Sequence, residues 1–175
     1  MKRYHPALVA MHWLLAFMVI AALFMGETVV GETSNADPAK IGILRNHMIF
    51  GSSILVLMLL RLFIRSRTEK PPHADIGNST LNTLGIWAHW ALYAVVIMMC
   101  LSGIGTSLAA GLPDIIFNGS GAPLPADFEV FFPRLVHGAL ASVLMLLIAA
   151  HVAAALYHQF MRKDGLLSRM WFGAR

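Results

Sequence analysis

The sequence has very little of the charge that a water-soluble domain carries on its surface. Only 13% of its 175 residues are charged, whereas 58% are hydrophobic, and the mean hydropathy is +0.69. A soluble domain of this size needs more polar surface than that to face water. The scarcity of charge therefore excludes a soluble globular fold and predicts a chain that lies mostly within a lipid bilayer.

Cysteine is almost absent as well. The single Cys100 lies inside an apolar run and cannot form a disulfide within the chain, so we interpret it as a small apolar side chain. The sequence contains no C-x-x-C-H motif, which excludes haem attached covalently in the manner of c-type cytochromes.

Long apolar runs are what the sequence does contain. Four of them, approximately residues 7–25, 45–64, 84–108 and 134–160, are each about long enough for a membrane-spanning helix of roughly 20 residues. The first run is too long for a signal peptide, and "FMGETVVGE" after it lacks a small-residue cleavage site. We therefore predict one all-α domain over residues 1–175, a four-helix transmembrane bundle.

Basic residues are distributed unequally between the two sides of this bundle. The N-terminus, residues 61–86 and the tail after residue 160 hold ten of the 13 basic residues, and the other two loops hold only Lys40, Arg45 and Arg134 with six of the nine acidic residues. The positive-inside rule then places both termini in the cytoplasm, and the pI of 9.6 is no indication of nucleic-acid binding. The apolar residues of the second outer loop predict that it folds over the outer end of the bundle; they are Ile115, Ile116, Phe117, Phe131 and Phe132.

Acidic residues are missing from the four runs, but histidines are not. His137, His151 and His158 lie in the last run with no acidic residue predicted near them, and an unpaired buried polar group costs several kcal/mol. Without carboxylates in the spans, a zinc or di-iron site is disfavoured. These histidines are therefore expected to bind something other than a protein carboxylate.

The depths of the histidines suggest what that partner is. His137 and His151 are 14 residues apart, which is about 21 Å along one helix and about 40° short of four full turns, so they share a face at two depths. His47 matches the depth of His137, and both His12 and His89 match that of His151. Pairs of histidines stacked about 20 Å apart predict two b haems with two axial imidazoles each. The alternative is a haem-free transporter or structural protein whose histidines form interhelical hydrogen bonds.

Four segments of the chain resemble the bacterial cytochrome b-561 family, whose relatives include the cytochrome subunits of membrane hydrogenases and formate dehydrogenases. The resemblance covers nearly the whole chain and is most specific in the last of the segments, which are "MHWLLAFMVIAALFMGE", "RNHMIFGSSILVLMLLRLFIR", "AHWALYAVVIMMCLSGIG" and "LVHGALASVLMLLIAAHVAAALYHQFMRKDGLLSRM". It implies a multi-pass protein of the bacterial inner membrane, with two non-covalent b haems. In this family the first and fourth helices hold the inner haem, and the second and fourth hold the outer one. The resemblance thus implies the ligand pairs His12–His151 and His47–His137, with His89 beside the inner haem.

The chain is most similar to the short, stand-alone members of that family, of which one is described as a superoxide oxidase. The resemblance implies an enzyme, a superoxide:ubiquinone oxidoreductase, that oxidises superoxide at the periplasmic side and reduces ubiquinone. Arg45 and Arg134 flank the outer histidines and would attract the anion, although the outer loops are acidic overall. His158, about 10 Å beyond His151 and about 20° off the same face, would protonate the quinone. The alternatives are that His89 has this role, or that His158 is an interfacial histidine solvated by lipid headgroups. The alternative is a cytochrome subunit that relays electrons between the quinone pool and a partner dehydrogenase or a periplasmic cytochrome.

Overall fold

The computed structural model describes residues 3–73 and 75–173, so Lys2 and Arg175 of the charge count lie outside the described residues. These residues contain helices and turns and no β-strand. The five α-helices are α1 (Pro6–Met25), α2 (Ala39–Arg67), α3 (Ser79–Ala109), the short α4 (Leu112–Ile116) and α5 (Phe132–Leu156). Two of them continue as π-helical turns, α1 through Gly26–Gly31 and α5 through Tyr157–Arg162, and a 3₁₀ turn follows at Leu166–Met170.

Local sequence sets the helix ends. The His5 imidazole caps α1 by accepting a hydrogen bond from the Ala7 N–H, and the Asn78 side chain caps α3 by accepting from Leu81. Helix α2 ends among basic residues, which favour the negative end of the helix dipole, before the extended Thr68 and a Pro-Pro pair. Gly111 follows α3 in the left-handed region, with a φ of +64°, and this permits the turn into α4.

Four helices, counted with the π-helical turns that continue them, are long and apolar enough to cross a membrane, so the predicted four-helix bundle is confirmed. Each extends beyond its predicted run; α2 spans residues 39–67, for example, where the run spans residues 45–64. Large apolar side chains on the outer surface remain exposed to the surroundings, including Phe17 at 70% and Leu146 at 73%. Such a surface suits lipid, so the chain is a multi-pass membrane protein.

The bundle has one loosely packed side. Helix α3 packs closely against α5, α1 against α2, and α2 against α3, whereas α1 and α5 are not among the closely packed pairs over the residues that the structure describes. The core consists mainly of residues from α1, α2 and α3, and within α5 only Leu144 is buried. Helix α5 is therefore held to the bundle mainly by α3.

We call the end of the bundle that carries Gly26–Gly31 and α4 the capped end. The opposite end, where α1 begins and where the tail up to residue 173 folds back, is the terminal end. At the capped end the loop after α3 folds over the bundle as predicted, because Ile115, Ile116 and Phe131 pack in a cluster around Leu44. Phe117 and Phe132 of the same loop instead remain exposed, at 51% and 74%. The Asn35 side chain ties the two loops together by donating to the Pro125 and Ala126 carbonyls.

At the terminal end the tail folds back onto the start of α1. The Trp13 indole donates a hydrogen bond of 2.8 Å to the Met170 carbonyl, and its ring contacts that of Trp171. Arg169 donates to the carbonyl of Pro72 in the loop between α2 and α3. Hydrogen bonds and a ring contact thus hold the tail against the terminal end of the bundle.

Candidate functional site

The structure brings four of the predicted histidines together as two pairs. Near the capped end, the ring centres of His47 on α2 and His137 on α5 are 6.2 Å apart, and their planes are inclined by 78°. Near the terminal end, the ring centres of His12 on α1 and His151 on α5 are 6.3 Å apart, with an inclination of 69°. Both pairs lie across the loosely packed side of the bundle.

These two separations suit a metal ion held between imidazoles. With a metal–nitrogen bond of about 2 Å, and about 1 Å from the nitrogen to its ring centre, two imidazoles on opposite sides of one metal have their centres roughly 6 Å apart. Both pairs match this value within a few tenths of an ångström. The residues present therefore fit two haems with two imidazole ligands each.

His89 on α3 also contacts His151, so two histidines, His12 and His89, compete as its partner in the pair near the terminal end. The ring centres of His89 and His151 are 5.3 Å apart, which is too close for a metal between them on the same reasoning. His89 is exposed, and its Nδ1 lies 2.6 Å from the Gly85 carbonyl of its own helix. The distances therefore favour His12 over His89 as the partner of His151, the alternative that composition and spacing leave open.

Hydrogen bonds orient His137, one member of the pair near the capped end. The His137 Nδ1 lies 3.0 Å from the Met99 carbonyl and 3.1 Å from the Ser102 hydroxyl. Since the Ser102 hydroxyl already donates to the Met99 carbonyl, Nδ1–H of His137 donates as well and its Nε2 is left to accept a metal. The Nδ1 of His47 is buried and has no hydrogen-bond partner among the residues that the structure describes.

Two glycines make room for these rings. A Cβ added at Gly103 of α3 would lie 3.2 Å from Cε1 of His137, and one added at Gly26 would lie 3.6 Å from Cε1 of His47. Among the small residues that follow the histidines in sequence, Gly51 has open space beside it, whereas Gly138 faces the Arg134 guanidinium. Gly26 and Gly103 escape prediction because they lie on elements distant in sequence from the histidines they accommodate.

The two arginines predicted to attract an anion, Arg45 and Arg134, both bind other groups of the protein. The exposed Arg45 donates a hydrogen bond of 2.8 Å to the Ile116 carbonyl of α4. Arg134 forms an ion pair of 3.1 Å with Glu129, and both side chains are substantially exposed, at 35% and 52%. An exposed ion pair of this kind is weak, so Glu129 tempers the positive charge of Arg134 without cancelling it.

The prediction that His158 lacks an acidic neighbour is wrong. Its Nδ1 lies 2.6 Å from Asp164, which comes six residues later, beyond the π-helical turn that returns the chain toward the bundle. Burial raises the pKa of the Asp164 carboxyl, but hydrogen bonds from His158 and Leu166 and nearby positive charges outweigh this, so that pKa lies below its ordinary value. Asp164 is therefore ionised at neutral pH and orients His158, whose Nε2 remains available.

Two arginines at the terminal end, the buried Arg61 and the half-buried Arg65, were not predicted as site residues. Arg61 lies against the ring of Tyr93, and Arg65 lies against the rings of Tyr93 and Trp90. In the sequence they look like the basic cytoplasmic border of the second run. A signal was present nonetheless, because Arg61 precedes three further apolar residues of that run.

Comparison with known proteins gives matches over almost the whole chain. The family model for prokaryotic cytochrome b561 matches residues 3–173. A protein of Yersinia pestis named "Probable superoxide oxidase CybB" is 29% identical over 174 residues, which are 97% of this chain and 96% of that protein. "Cytochrome b561 homolog 2" of Escherichia coli (strain K12) is 30% identical over 97% of this chain and 91% of its own length. "Cytochrome b562" of Cereibacter sphaeroides is 26% identical over 93% of this chain and 90% of its own length.

Proposed function

The chain belongs to the prokaryotic cytochrome b561 family, and on that premise we propose that it is a di-haem superoxide:ubiquinone oxidoreductase of the bacterial inner membrane. Family membership by itself makes the chain a membrane cytochrome that takes part in electron transfer. In the proposed reaction, two superoxide anions each give up one electron and leave as O₂. One ubiquinone takes up the two electrons together with two protons and becomes ubiquinol.

Two histidine pairs carry this proposal, each with one member on α5 and the other on α1 or α2. In each pair the ring centres are about as far apart as one shared metal requires. His47 and His137 would hold the outer haem, and His12 and His151 the inner one. When bound, haem supplies one-electron redox chemistry, and two imidazole ligands leave the iron no open position for oxygen. His137 contributes its Nε2 because Met99 and Ser102 engage its Nδ1.

The capped end offers a place where superoxide would arrive. Arg45 and Arg134 lie two and three residues from His47 and His137, and their positive charges favour a small anion near the outer pair. The name of the Yersinia pestis relative, a probable superoxide oxidase, supports this substrate.

The terminal end offers a proton donor for ubiquinone. His158 is largely buried, with 15% of its side chain exposed, and is held at Nδ1 by Asp164. A carboxylate in that position fixes the orientation of the imidazole, as the acid of a catalytic triad does. His158 would thus hold a proton at Nε2 and give it to the quinone, and Asp164 would position it.

The orientation follows from the charge distribution. Of the basic residues that the structure describes, eight lie at the terminal end and three toward the capped end, so both termini are proposed to be cytoplasmic and the capped end periplasmic. A reporter fused after Arg175 is therefore expected to be active only in its cytoplasmic form. Activity of a periplasm-specific reporter at that position would reverse the sides assigned to superoxide and quinone.

A second candidate function is that of a cytochrome that relays electrons between the quinone pool and a partner dehydrogenase or periplasmic cytochrome. Six of the nine acidic residues lie in the capped-end loops, and the ion pair with Glu129 weakens the attraction of Arg134 for an anion. The names of the Escherichia coli and Cereibacter sphaeroides relatives describe cytochromes without an enzymatic activity.

Turnover by the isolated protein separates these two functions. The purified chain is mixed with a superoxide source and a water-soluble ubiquinone, and quinol formation is followed with and without superoxide dismutase. The proposed enzyme forms quinol without any other protein, and the dismutase abolishes the reaction. Haem that is reduced by quinol but never by superoxide would support the relay function instead.

A further inference from the structure

Two arginines lie inside the terminal half of the bundle without an anionic partner. Arg61 is 7% exposed, and its guanidinium carbon lies 5.1 Å from the centre of the Tyr93 ring on α3. Arg65, one turn further along α2, lies 5.6 Å from the ring centres of both Tyr93 and Trp90. Over residues 3–73 and 75–173, the ion pairs involve neither of these arginines. The Arg61 charge is thus buried and the Arg65 charge half-buried, and the contacts found for them among the described residues are with aromatic rings.

Polar atoms of this cluster also lack partners. The Tyr93 hydroxyl and the Arg65 Nε are buried, and within the described part of the chain neither forms a hydrogen bond. The attraction between a cation and an aromatic ring is weak compared with the cost of burying a charge, and two like charges four residues apart on a helix repel each other. An anion whose oxygens can accept several hydrogen bonds is what this cluster needs.

The cluster borders the inner histidine pair. His12 lies six residues from the terminal end of α1 at Pro6, and Arg61 lies six residues from the terminal end of α2 at Arg67, a rise of about 9 Å in each helix. Helices α1 and α2 pack closely against each other, and the imidazole of His12 contacts that of His151. An anion bound by Arg61 would therefore lie close to whatever His12 and His151 hold.

We propose that Arg61, with Arg65 and the Tyr93 hydroxyl, binds the propionate carboxylates of the haem held by His12 and His151. The inference rests on the proposed function, which places a haem between those histidines. A guanidinium binds a carboxylate through two parallel hydrogen bonds, a phenol can donate one more, and two arginines match the two negative charges of protohaem. A lipid phosphate presents the same oxyanion chemistry, but headgroups lie at the membrane surface, whereas Arg61 lies inside the bundle.

The test is a spectroelectrochemical titration of the purified, haem-loaded protein and of its Arg61→Gln variant. Loss of the positive charge disfavours the reduced inner haem, so its reduction equilibrium is expected to shift at least tenfold toward the oxidised form, about 59 mV per tenfold for one electron. Loss of the inner haem with retention of the outer one equally supports the proposal. Arg61→Lys should recover most of the shift, and the matched control Arg67→Gln, an exposed residue of the same helix end, should show none. Should Arg61→Gln not accumulate, Arg65→Gln is titrated in its place.

Two further arms identify the anion. In protein reconstituted with haem dimethyl ester, whose carboxylates are blocked, Arg61 has no carboxylate to bind, so the wild type and Arg61→Gln should lose the inner haem at the same rate, whereas with protohaem Arg61→Gln should lose it faster. Equally faster loss from Arg61→Gln with both haems would show that Arg61 acts without binding the propionates and would overturn the assignment. So would an unchanged inner haem in Arg61→Gln accompanied by loss of bound phospholipid phosphorus, which marks a lipid site. A wild-type protein without an inner haem would instead refute the proposed function before any variant is compared.

Discussion

Replacing His137 with alanine is expected to remove one of the two haems from the purified chain and to leave the other in place. His137 supplies one of the two imidazoles of the outer pair, and its Nε2 is free because Met99 and Ser102 engage Nδ1. His47→Ala should have the same effect, since either loss leaves one imidazole to hold the haem. The remaining haem is measured by the pyridine haemochrome method against protein concentration.

The reciprocal variants locate the second haem. His151→Ala and His12→Ala are expected to remove the inner haem and to spare the outer one. His89→Ala is the matched control, because His89 contacts His151 but at 5.3 Å is too close to share a metal with it. If His89→Ala lost a haem while His12→Ala kept both, the pairing of the inner site would be wrong.

Replacing His158 with alanine is expected to keep both haems and their spectra. It should slow quinone reduction by at least about tenfold, and a positioned acid–base group typically contributes about 10²- to 10⁴-fold. The imidazole held by Asp164 is the group proposed to deliver a proton to the quinone. The measurement is stopped-flow oxidation of the reduced haems by a soluble ubiquinone at neutral pH.

Two controls accompany this variant. His73→Ala changes an exposed loop histidine at the same end and should leave the quinone rate unaltered. Asp164→Asn removes the charge that orients His158 and should slow the reaction less than His158→Ala does. Unchanged quinone kinetics in His158→Ala would move the site to His89 or to the capped end.

The number and depth of the helices, and the pairing of histidines by depth, could be predicted from the sequence because both depend on one periodic property, the rise of an α-helix through a bilayer. His137 and His151 lie on one helix, so their spacing alone places them on a common face. The partner of His151 could not be decided in this way, since His12 and His89 lie at the same depth on different helices. That choice depends on the distance between helices, which no local pattern encodes.

Other features depend on chain reversals and on contacts between helices. Asp164 reaches His158 because the chain reverses direction after the π-helical residues Tyr157–Arg162. The depth of His158 was calculated for a continuous α-helix, which contains no such reversal. Arg61 was counted with the cytoplasmic border, but its side chain is buried against Tyr93 of a neighbouring helix. Gly103 accommodates the His137 ring from α3, which packs closely against α5.

The haem content and coordination of the purified wild-type chain test the account most directly. Two b haems per chain are predicted, both with two imidazole ligands, so that the reduced spectrum does not change when carbon monoxide is added, because neither iron has an open position. A single haem per chain, or a spectrum that shifts on addition of carbon monoxide, would contradict the assignment of the two histidine pairs.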